Sequence, residues 1–406
     1  MIRGRMPRLF SCYFHAGFRI KIEQRSKMID KKVAFIYSDT YLSYDYGPSH
    51  PLKMIRLKLT YELLKSFNIF DSPDVNLIEP VPASEETVML VHREEYINAL
   101  KEANEGVYSS DLFRYGLGWG DNPVFRGVYS GSLLSTGASI QAVRLVGNNK
   151  VQTAFNIAGG LHHAMPERAS GFCYINDPAV AVAEVVNKGK RVVYVDIDAH
   201  HGDGVQHVFY RTDRVLTISL HESGDFLFPG TGKPAEIGEE KGRGYSVNIP
   251  FYPDTGDDVF LWAFEEIVPP LIKAFNPDIL VTQLGADALE GDPLTHMRLT
   301  NNAFCRAVEI FRSLDYPWVA LGGGGYNVLN VARAWALAFG IMCGVELPDE
   351  FPSSFKEYAL EKRLNFSDIL TLRDKPSEVQ SNDKARSIAA SSVEYIRRNV
   401  FPIHGL

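Results

Sequence analysis

Short and nearly continuous apolar runs alternate along the chain with longer stretches of helical periodicity. Runs of this kind favour strands that are buried on both faces, and they lie at Val33–Tyr37, Val151–Phe155, Val192–Asp196, Val215–Leu220, Tyr245–Ile249, Ile279–Leu284 and Trp318–Leu321. Helical periodicity predicts helices at Lys53–Phe67, Phe125–Val146, Pro178–Asn187, Asp257–Phe275, Asn301–Leu314 and Val331–Cys343. The alternation predicts an α/β fold with a mainly parallel central sheet flanked by helices.

Both ends of the chain differ in composition from this alternating region. Residues 1–27 carry seven basic side chains against one acid, Glu23. We expect a disordered tail or a start codon called too early, with Met28 as the true start, and a transit peptide is the less favoured alternative. The polar stretch Leu372–Arg386 predicts a linker before a last helix near Ser387–Arg397. Residues 28–345 are therefore expected to form the main domain, and residues 346–406 an extension packed on it.

Composition excludes several classes of protein. The chain has 406 residues and a formal net charge of −7, so stable nucleic-acid binding is not expected. It has no apolar run of the roughly 18 residues that would span a membrane. Its four cysteines show no paired spacing, which favours a reducing cytoplasm. Composition leaves the oligomeric state open.

Three acids and two histidines lie within eight residues at the end of the predicted strand Val192–Asp196. Because side chains alternate along an extended chain, Asp196, Asp198 and His200 point to the same side. Carboxylate and imidazole groups are both metal ligands. A capping aspartate is the ordinary alternative for one such acid. It does not explain so dense a cluster, and we therefore predict a metal or catalytic site.

A third metal ligand is expected elsewhere, because catalytic metals commonly have three protein ligands and an open position. Asp287 follows the predicted strand Ile279–Leu284. Ligands of open α/β sheets bind beyond the carboxyl ends of strands. Taken alone, such an aspartate is more often a helix cap or turn residue. Beside Asp198 and His200, the ligand interpretation is the better one.

Two adjacent histidines, His162 and His163, lie beyond the predicted strand Val151–Phe155. Imidazole titrates near neutral pH, so the pair can supply a general base and an electrostatic partner. Each ring would need a carboxylate to fix its tautomer, and Asp196 and Asp203 are available for this. Two ordinary surface histidines are the alternative that the pair alone leaves open.

A run of four glycines and a tyrosine, Gly322–Tyr326, follows the predicted strand Trp318–Leu321. Such a turn permits close approach of the backbone, and before a helix it can bind phosphate. No Lys-Ser/Thr pair or dinucleotide-binding glycine pattern accompanies it, so nucleotide binding is disfavoured. The Tyr326 hydroxyl is instead a candidate donor to a developing oxyanion.

Taken together, these residues resemble the histone deacetylase family, in its bacterial acetoin-utilisation branch, from about Val33 to about Cys343. The resemblance rests on motifs that occur in order: His50-Pro51 with Arg56, Gly118–Pro123, Gly160–His163, Gly171–Tyr174, Asp196–Gly204, Phe228–Gly232, Gly285–Asp287 and Gly322–Tyr326. It implies a single arginase/deacetylase-like catalytic domain and a zinc ion on Asp198, His200 and Asp287. Two carboxylates make this a hard ligand set, so Fe²⁺ is an alternative in the cell.

The same resemblance implies a role for each remaining site residue. His163 would be the general base and acid, and His162 would be its electrostatic partner. Asp196 and Asp203 would support His162 and His163 respectively, and Tyr326 would bind the acetyl carbonyl. The substrate-binding positions would be Asp121 at the rim, Phe172 and Phe228 as tunnel walls, Arg56 in the inner cavity from which acetate leaves, and also Gly171 and Leu294.

Two structural potassium sites are implied as well. The first would use Asp196, Asp198, the carbonyl of His200, Ser219 and Leu220. The second would use Phe209, Thr212, Val215 and Tyr245, mostly through backbone oxygens, so side-chain identity supports it less.

The implied activity is hydrolysis of linear amides, the acetyl-lysines of a protein substrate. Acetylated metabolic enzymes such as acetyl-CoA synthetase, linked to acetoin or acetate use, are the expected target. Acetylpolyamines or other small N-acetyl amines are the alternative substrates. A non-catalytic binder of acetylated proteins would lack catalytic residues, and none is missing. An arginase-like ureohydrolase usually needs a two-metal ligand set with more acids.

Overall fold

One sheet contains all eight strands of the part of the chain that the computed structural model describes, residues 32–364, 371–376 and 381–406. Every pair of neighbouring strands is parallel, and the order across the sheet is β2-β1-β3-β8-β7-β4-β5-β6. The predicted α/β architecture is therefore confirmed. The strands are β1 (Val33–Ile36), β2 (Val75–Ile78), β3 (Thr153–Asn156), β4 (Val192–Asp196), β5 (Val215–Glu222), β6 (Ser246–Phe251), β7 (Ile279–Gln283) and β8 (Trp318–Leu321).

The α-helices of the described residues flank this sheet. They are α1 (Ile55–Ser66), α2 (Glu85–Val88), α3 (Glu94–Ala103), α4 (Val128–Gly147), α5 (Asp177–Val186), α6 (Asp203–Phe209), α7 (Asp257–Phe275), α8 (Asn301–Ser313), α9 (Val328–Cys343), α10 (Ser353–Glu361) and α11 (Asp383–Asn399). None of them is long and apolar enough to cross a membrane. The helical and strand periodicity does not predict β2, α2, α3, α6 or α10. Because β2 is a partly exposed edge strand, it lacks the apolar run that marks the buried strands.

Alternating side chains of the central strands fill two separate cores, one on each face of the sheet. In β4, Val193 and Val195 belong to one core, whereas Val192 and Tyr194 belong to the other. Every residue of β4 is buried. Burial on both faces explains why the central strands read as continuous apolar runs rather than as alternating patterns.

The C-terminal helix α11 packs against the edge strand β6 and against α7. It begins at Asp383, because the side chain of Asn382 accepts a hydrogen bond from the backbone N–H of Ala385 and caps the helix. The predicted linker Leu372–Arg386 is therefore wrong at its C-terminal end. Residues 365–370 and 377–380 of the extension lie outside the described residues, as does the predicted tail 1–27.

Four adjacent strands, β3, β8, β7 and β4, bring the chemically interesting segments together. Parallel strands place their carboxyl ends at the same edge of a sheet, where ligands of α/β folds bind. The loops that leave these four strands carry His162 and His163, Tyr326, Asp287 and Asp198. Segments that are far apart in the sequence therefore meet at one edge.

Ile396→Ala should destabilise the protein by about 2–4 kcal/mol, because it leaves a cavity at a fully buried position of α11. Urea unfolding followed by tryptophan fluorescence measures the change. Arg398→Ala, on the exposed side of the same helix, is the matched control and should cost less than about 0.5 kcal/mol. Equal unfolding midpoints for the two variants would show that α11 adds nothing to the core.

Candidate metal centre and active site

Asp198, His200 and Asp287 converge beyond the carboxyl ends of β4 and β7. One ligand atom of each lies within 4.8 Å of the other two, and all three residues are buried. The His200 Nδ1 atom is 3.1 Å from Asp198 Oδ1 and 3.0 Å from Asp287 Oδ2. No other cluster of three or more His, Cys, Asp or Glu side chains with ligand geometry occurs among the described residues. The three residues predicted as ligands thus form the candidate metal centre.

The charges of this cluster suit a divalent cation. Burial, followed by the negative charge of Asp198, raises the pKa of Asp287 to about 7. Two buried carboxylates at this separation repel each other unless a positive charge compensates them. Carboxylate oxygens with one imidazole nitrogen form a donor set that both Zn²⁺ and Fe²⁺ accept. The residues present therefore fit a divalent metal ion.

Hydrogen bonds hold the two carboxylates so that one oxygen of each faces His200. Asp198 Oδ2 accepts from Gln283 Nε2 at 2.7 Å and from the backbone N–H of Gly324 at 2.8 Å. Asp287 Oδ1 accepts from the backbone N–H of Ala199 at 2.8 Å. The outer oxygens are tied to the protein, and this orients the inner ones towards the candidate centre.

Two glycines are required because the backbone passes directly against these carboxylates. A Cβ atom at Gly285 would lie 2.0 Å from Asp198 Oδ2, and one at Gly324 would lie 2.0 Å from Asp287 Oδ2. Any side chain at either position would displace a ligand carboxylate. The glycine run after β8 therefore serves close packing around the metal ligands rather than phosphate binding.

Each histidine of the pair at the end of β3 contacts its own aspartate. His162 Nδ1 lies 2.7 Å from Asp196 Oδ2, and His163 Nδ1 lies 2.7 Å from Asp203 Oδ1. The Nε2 atoms of the two rings are 3.0 Å apart. Tyr194 also donates its hydroxyl to Asp196 Oδ2, at 2.7 Å. The structure thus brings together all four residues that the sequence analysis grouped.

The two histidines differ in protonation. Burial lowers the pKa of His162, but the charges of Asp196 and Asp198 outweigh it and raise that pKa to about 9. Burial, together with the positive charge of His162, lowers the pKa of His163 to about 4. Near neutral pH, His162 is therefore an imidazolium. His163 is a neutral imidazole that donates Nδ1–H to Asp203. Its Nε2 lone pair, which faces the Nε2–H of His162 at 3.0 Å, is the site that can take up a proton.

Tyr326 lines the same cavity as His162, His163, Asp198 and His200. Its backbone N–H donates to Asp292 Oδ2 at 2.7 Å, which fixes the end of the glycine run. Burial raises the pKa of Tyr326 well above its ordinary value. The hydroxyl therefore stays protonated and can act as a hydrogen-bond donor.

Aromatic rings surround the approach to this cavity. The Phe228 ring lies 5.0 Å from the His163 ring, and the Phe172 ring lies 5.6 Å from the Tyr326 ring. A Cβ atom at Gly171 would lie 2.8 Å from the Phe228 ring, so the loops carrying Phe172 and Phe228 are in contact. The Phe172 backbone has a left-handed φ of 68°, and its carbonyl accepts a hydrogen bond from the Tyr46 hydroxyl at 3.0 Å.

Arg56 lines a second, inner cavity together with Tyr46, Leu161 and Tyr174. Its side chain is buried, and Nη1 donates to the carbonyl oxygen of Gly325 at 3.1 Å. The Nε atom has no hydrogen-bond partner among the described residues. A buried guanidinium whose Nε–H has no acceptor in the described part of the chain can bind a small anion in this cavity.

The remaining predicted residues comprise two at the groove outside these cavities and those of the two predicted potassium sites. Asp121 and Leu294 line an outer groove that also includes Phe172. For the first potassium site, Asp196 and Ser219 are register partners on β4 and β5. For the second, Phe209 ends α6, Val215 begins β5 and Tyr245 directly precedes β6, with Thr212 between α6 and β5. Both potassium sites stay predictions.

Sequence reasoning missed three polar residues that hold the site. Gln283 is the register partner of Asp196 and bonds Asp198. Asp292 holds the backbone of Tyr326 and accepts from Leu294 N at 3.0 Å. Asp177 accepts from the N–H groups of Gly160 and Leu161, which fixes the loop that carries the histidine pair. Only Gln283 gave a signal, as a polar residue at the end of a buried strand.

Comparison with known proteins agrees with this geometry. The histone deacetylase domain profile matches residues 50–342. The chain is 43% identical over 326 residues to the acetoin utilization protein AcuC of Bacillus subtilis, covering 78% of this chain and 84% of AcuC. It is 39% identical over 345 residues to type-1 histone deacetylase 1 of Dictyostelium discoideum, covering 84% of this chain and 69% of that protein. The crystal structure of an HDAC homolog from Aquifex aeolicus superposes with a TM-score of 0.82 at 38% identity, covering 89% of this chain and 100% of the homolog.

The chain therefore belongs to the histone deacetylase family. It is a hydrolytic deacetylase with the single-domain arginase/deacetylase-like fold of its structural neighbour. This confirms the resemblance inferred from the motifs.

Asp287→Ala should lower the affinity for Zn²⁺ by more than about 100-fold, because only two protein ligands remain. The variant should stay folded, since the substitution removes one of two mutually repelling carboxylates. Isothermal titration with Zn²⁺ and circular dichroism measure the two properties. Asp225→Ala, at an exposed aspartate, is the control. Unchanged affinity in folded Asp287→Ala would remove this residue from the ligand set.

The activity should fall as pH rises through the pKa of His162, about 9, because the imidazolium charge beside the reacting centre is lost. Asp196→Asn removes the charge that raises this pKa, so the alkaline limb of kcat/KM should move to lower pH. Asp278→Asn, at an exposed aspartate, is the control. Because the two histidines titrate as a coupled pair, the pKa values read from the pH profile belong to the pair rather than to one ring. A limb that stays in place or moves to higher pH would contradict the assignment.

Proposed function

We propose that this chain is a zinc-dependent deacetylase that removes acetyl groups from lysine side chains of proteins. The observation that carries the proposal is the composition of one cavity. It contains a neutral base, His163, a cation, His162, and a protonated donor, Tyr326, beside the candidate metal ligands. Hydrolysis of an amide needs all three functions, because water is a poor nucleophile and the amide is a poor electrophile.

A Zn²⁺ ion, when bound, polarises the amide carbonyl and lowers the pKa of a nearby water. His163 takes the proton of the attacking water at Nε2 and later delivers it to the leaving lysine nitrogen. Asp203 holds the Nδ1–H tautomer of His163, which keeps Nε2 available. The products are acetate and the protonated lysine amine, which together account for both protons of the attacking water.

Two groups stabilise the negative charge that develops on the carbonyl oxygen. The Tyr326 hydroxyl is the proposed hydrogen-bond donor, and Asp292 positions it through the backbone N–H. The His162 imidazolium contributes a positive charge that Asp196 maintains. Both groups are in place before the reaction, and this limits the reorganisation that the chemical step requires.

The approach to the cavity suits acetyl-lysine. Its acetylated side chain is neutral, so the stem can rest against Phe172 and Phe228 without burying a charge. Gly171, directly before Phe172, lies against the Phe228 ring. Asp121 would accept hydrogen bonds from the substrate backbone, and Leu294 would contact the substrate at the rim. The acetate product would leave through the inner cavity beside Arg56.

Other parts of the proposal concern the cellular setting. The three described cysteines are free thiols, which suits the cytoplasm. Similarity to AcuC suggests acetoin or acetate metabolism, with acetylated enzymes such as acetyl-CoA synthetase as targets. Fe²⁺ is an alternative metal to Zn²⁺. We also propose that structural K⁺ ions bind at the two predicted potassium sites.

A substrate panel on the Zn²⁺-loaded protein tests the proposed function. Acetyl-lysine peptides should be hydrolysed with a higher kcat/KM than acetylputrescine or acetylspermidine. Tyr326→Phe should lower kcat on the peptides by about 10²–10³-fold with little change in KM, because the donor acts mainly in the transition state. Tyr316→Phe, at a tyrosine away from the cavity, is the matched control. A higher kcat/KM for the acetylpolyamines would show that the enzyme acts on small N-acetyl amines instead. Unchanged turnover in Tyr326→Phe would show that the tyrosine is not the oxyanion donor.

A further inference from the structure

Trp119 is the most exposed large hydrophobic residue in the described part of the chain, with 80% of its surface accessible. It lines an open groove of about 710 Å³ outside the metal cavity, together with Tyr108, Asp121, Phe172, His50 and Leu294. A tryptophan this exposed leaves a large apolar surface in water, which commonly marks a binding site. None of the proposed catalytic steps uses it.

The loop that carries Trp119 is held on both sides. The backbone carbonyl of Asp121 lies 3.2 Å from His50 Nε2, and the side-chain amide of Asn122 donates to the carbonyl of Cys173 at 3.2 Å. The Trp119 ring meets the Tyr108 ring edge to face, at 5.9 Å between centroids. The Trp119 ring is therefore carried by an anchored loop and contacts the Tyr108 ring, which comes from a separate segment. Rigid aromatic side chains of this kind bind partners at a low cost in conformational entropy.

The groove continues into the deacetylation site. Phe172 lines both the groove and the cavity that contains the candidate metal ligands. A lysine stem that passes Phe172 would therefore leave its neighbouring residues over the groove. The volume of about 710 Å³ exceeds what one thin acyl-lysine stem occupies and suits flanking side chains.

The groove lining defines the chemistry of its occupant. Asp121, which lines it, is assigned to the substrate backbone. Apart from Asp121, no charged side chain lines the groove, and Trp119 and Tyr108 supply aromatic faces. Aromatic and large aliphatic groups gain most from contact with such faces.

We propose that Trp119 and Tyr108 form a subsite for a large apolar or aromatic side chain that flanks the acetyl-lysine. The proposal rests on the proposed function and adds a sequence preference to it. Trp119 is then a specificity-determining residue for protein substrates, and the acetylated lysines chosen in a target protein lie next to residues such as Phe, Tyr or Leu.

The test compares matched acetyl-lysine peptides on the Zn²⁺-loaded protein. The peptides differ only in carrying Phe or Ala at the position before or after the acetyl-lysine, and a capped acetyl-lysine without neighbours is included. For one of the two positions, wild type should prefer Phe over Ala by roughly 3- to 10-fold in kcat/KM, the range for one aromatic pair. Trp119→Ala should bring this ratio close to one. Trp262→Ala removes an exposed tryptophan on α7 that does not line the groove, and it should keep the ratio.

Each outcome decides between specific alternatives. A wild-type ratio near one at both positions would overturn the subsite, as would a Trp119→Ala variant that loses activity on all peptides equally and keeps the ratio. The second result would make Trp119 a residue that only supports the loop. Failure of wild type to hydrolyse even the capped acetyl-lysine would overturn the proposed function itself. Dissociation constants of the same peptides, measured with the Tyr326→Phe variant, test the subsite independently of turnover. Phe-flanked peptides should bind this variant more tightly than Ala-flanked peptides.

Discussion

The burial of several carboxylates at one edge of the sheet is the constraint on which the rest of the site depends. Asp196, Asp198 and Asp287 are almost completely inaccessible to water. A buried charge is costly unless hydrogen bonds and opposite charges compensate it. Three other strands of the sheet contribute to that compensation: β3 leads to His162, β7 ends in Gln283, and β8 leads to the N–H of Gly324. The parallel order of these strands is therefore as much an electrostatic requirement as a packing one.

Burial on both faces of the sheet explains why much of the fold was predictable from the sequence, and its absence explains part of what was not. Strands β4, β7 and β8 are buried on both faces, so their apolar runs are complete and their bounds were predicted closely. Strand β2 is at the edge, half exposed, and its pattern is mixed. The start of α11 was missed because its cap, Asn382, is one polar residue within a polar stretch. A single capping hydrogen bond leaves no periodic signal.

For the site, residues in a dense cluster or a glycine-rich motif could be predicted even where their partners are distant in the sequence, as for Asp287. The residues Asp196, Asp198, His200 and Asp203 lie in one segment, so their density was visible directly. Asp292 was not identified because its partner is a backbone N–H, that of Tyr326, 34 positions away. The opposite protonation of His162 and His163 was equally hidden. Both rings have the same chemistry and lie side by side in the sequence, and only their buried surroundings separate their pKa values.

The close packing around Gly285 and Gly324 has a consequence for how this enzyme can change. A Cβ atom at either position would collide with a ligand carboxylate, so neither position can accept a side chain. The groove around Trp119, at the mouth of the cavity that contains the candidate metal ligands, is by contrast open to solvent, and Trp119 is 80% exposed. Substitutions that change substrate selectivity are therefore expected among the groove residues at the mouth, whereas Gly285 and Gly324 must stay glycine. A library for retargeting the enzyme should randomise the mouth and leave the glycines untouched.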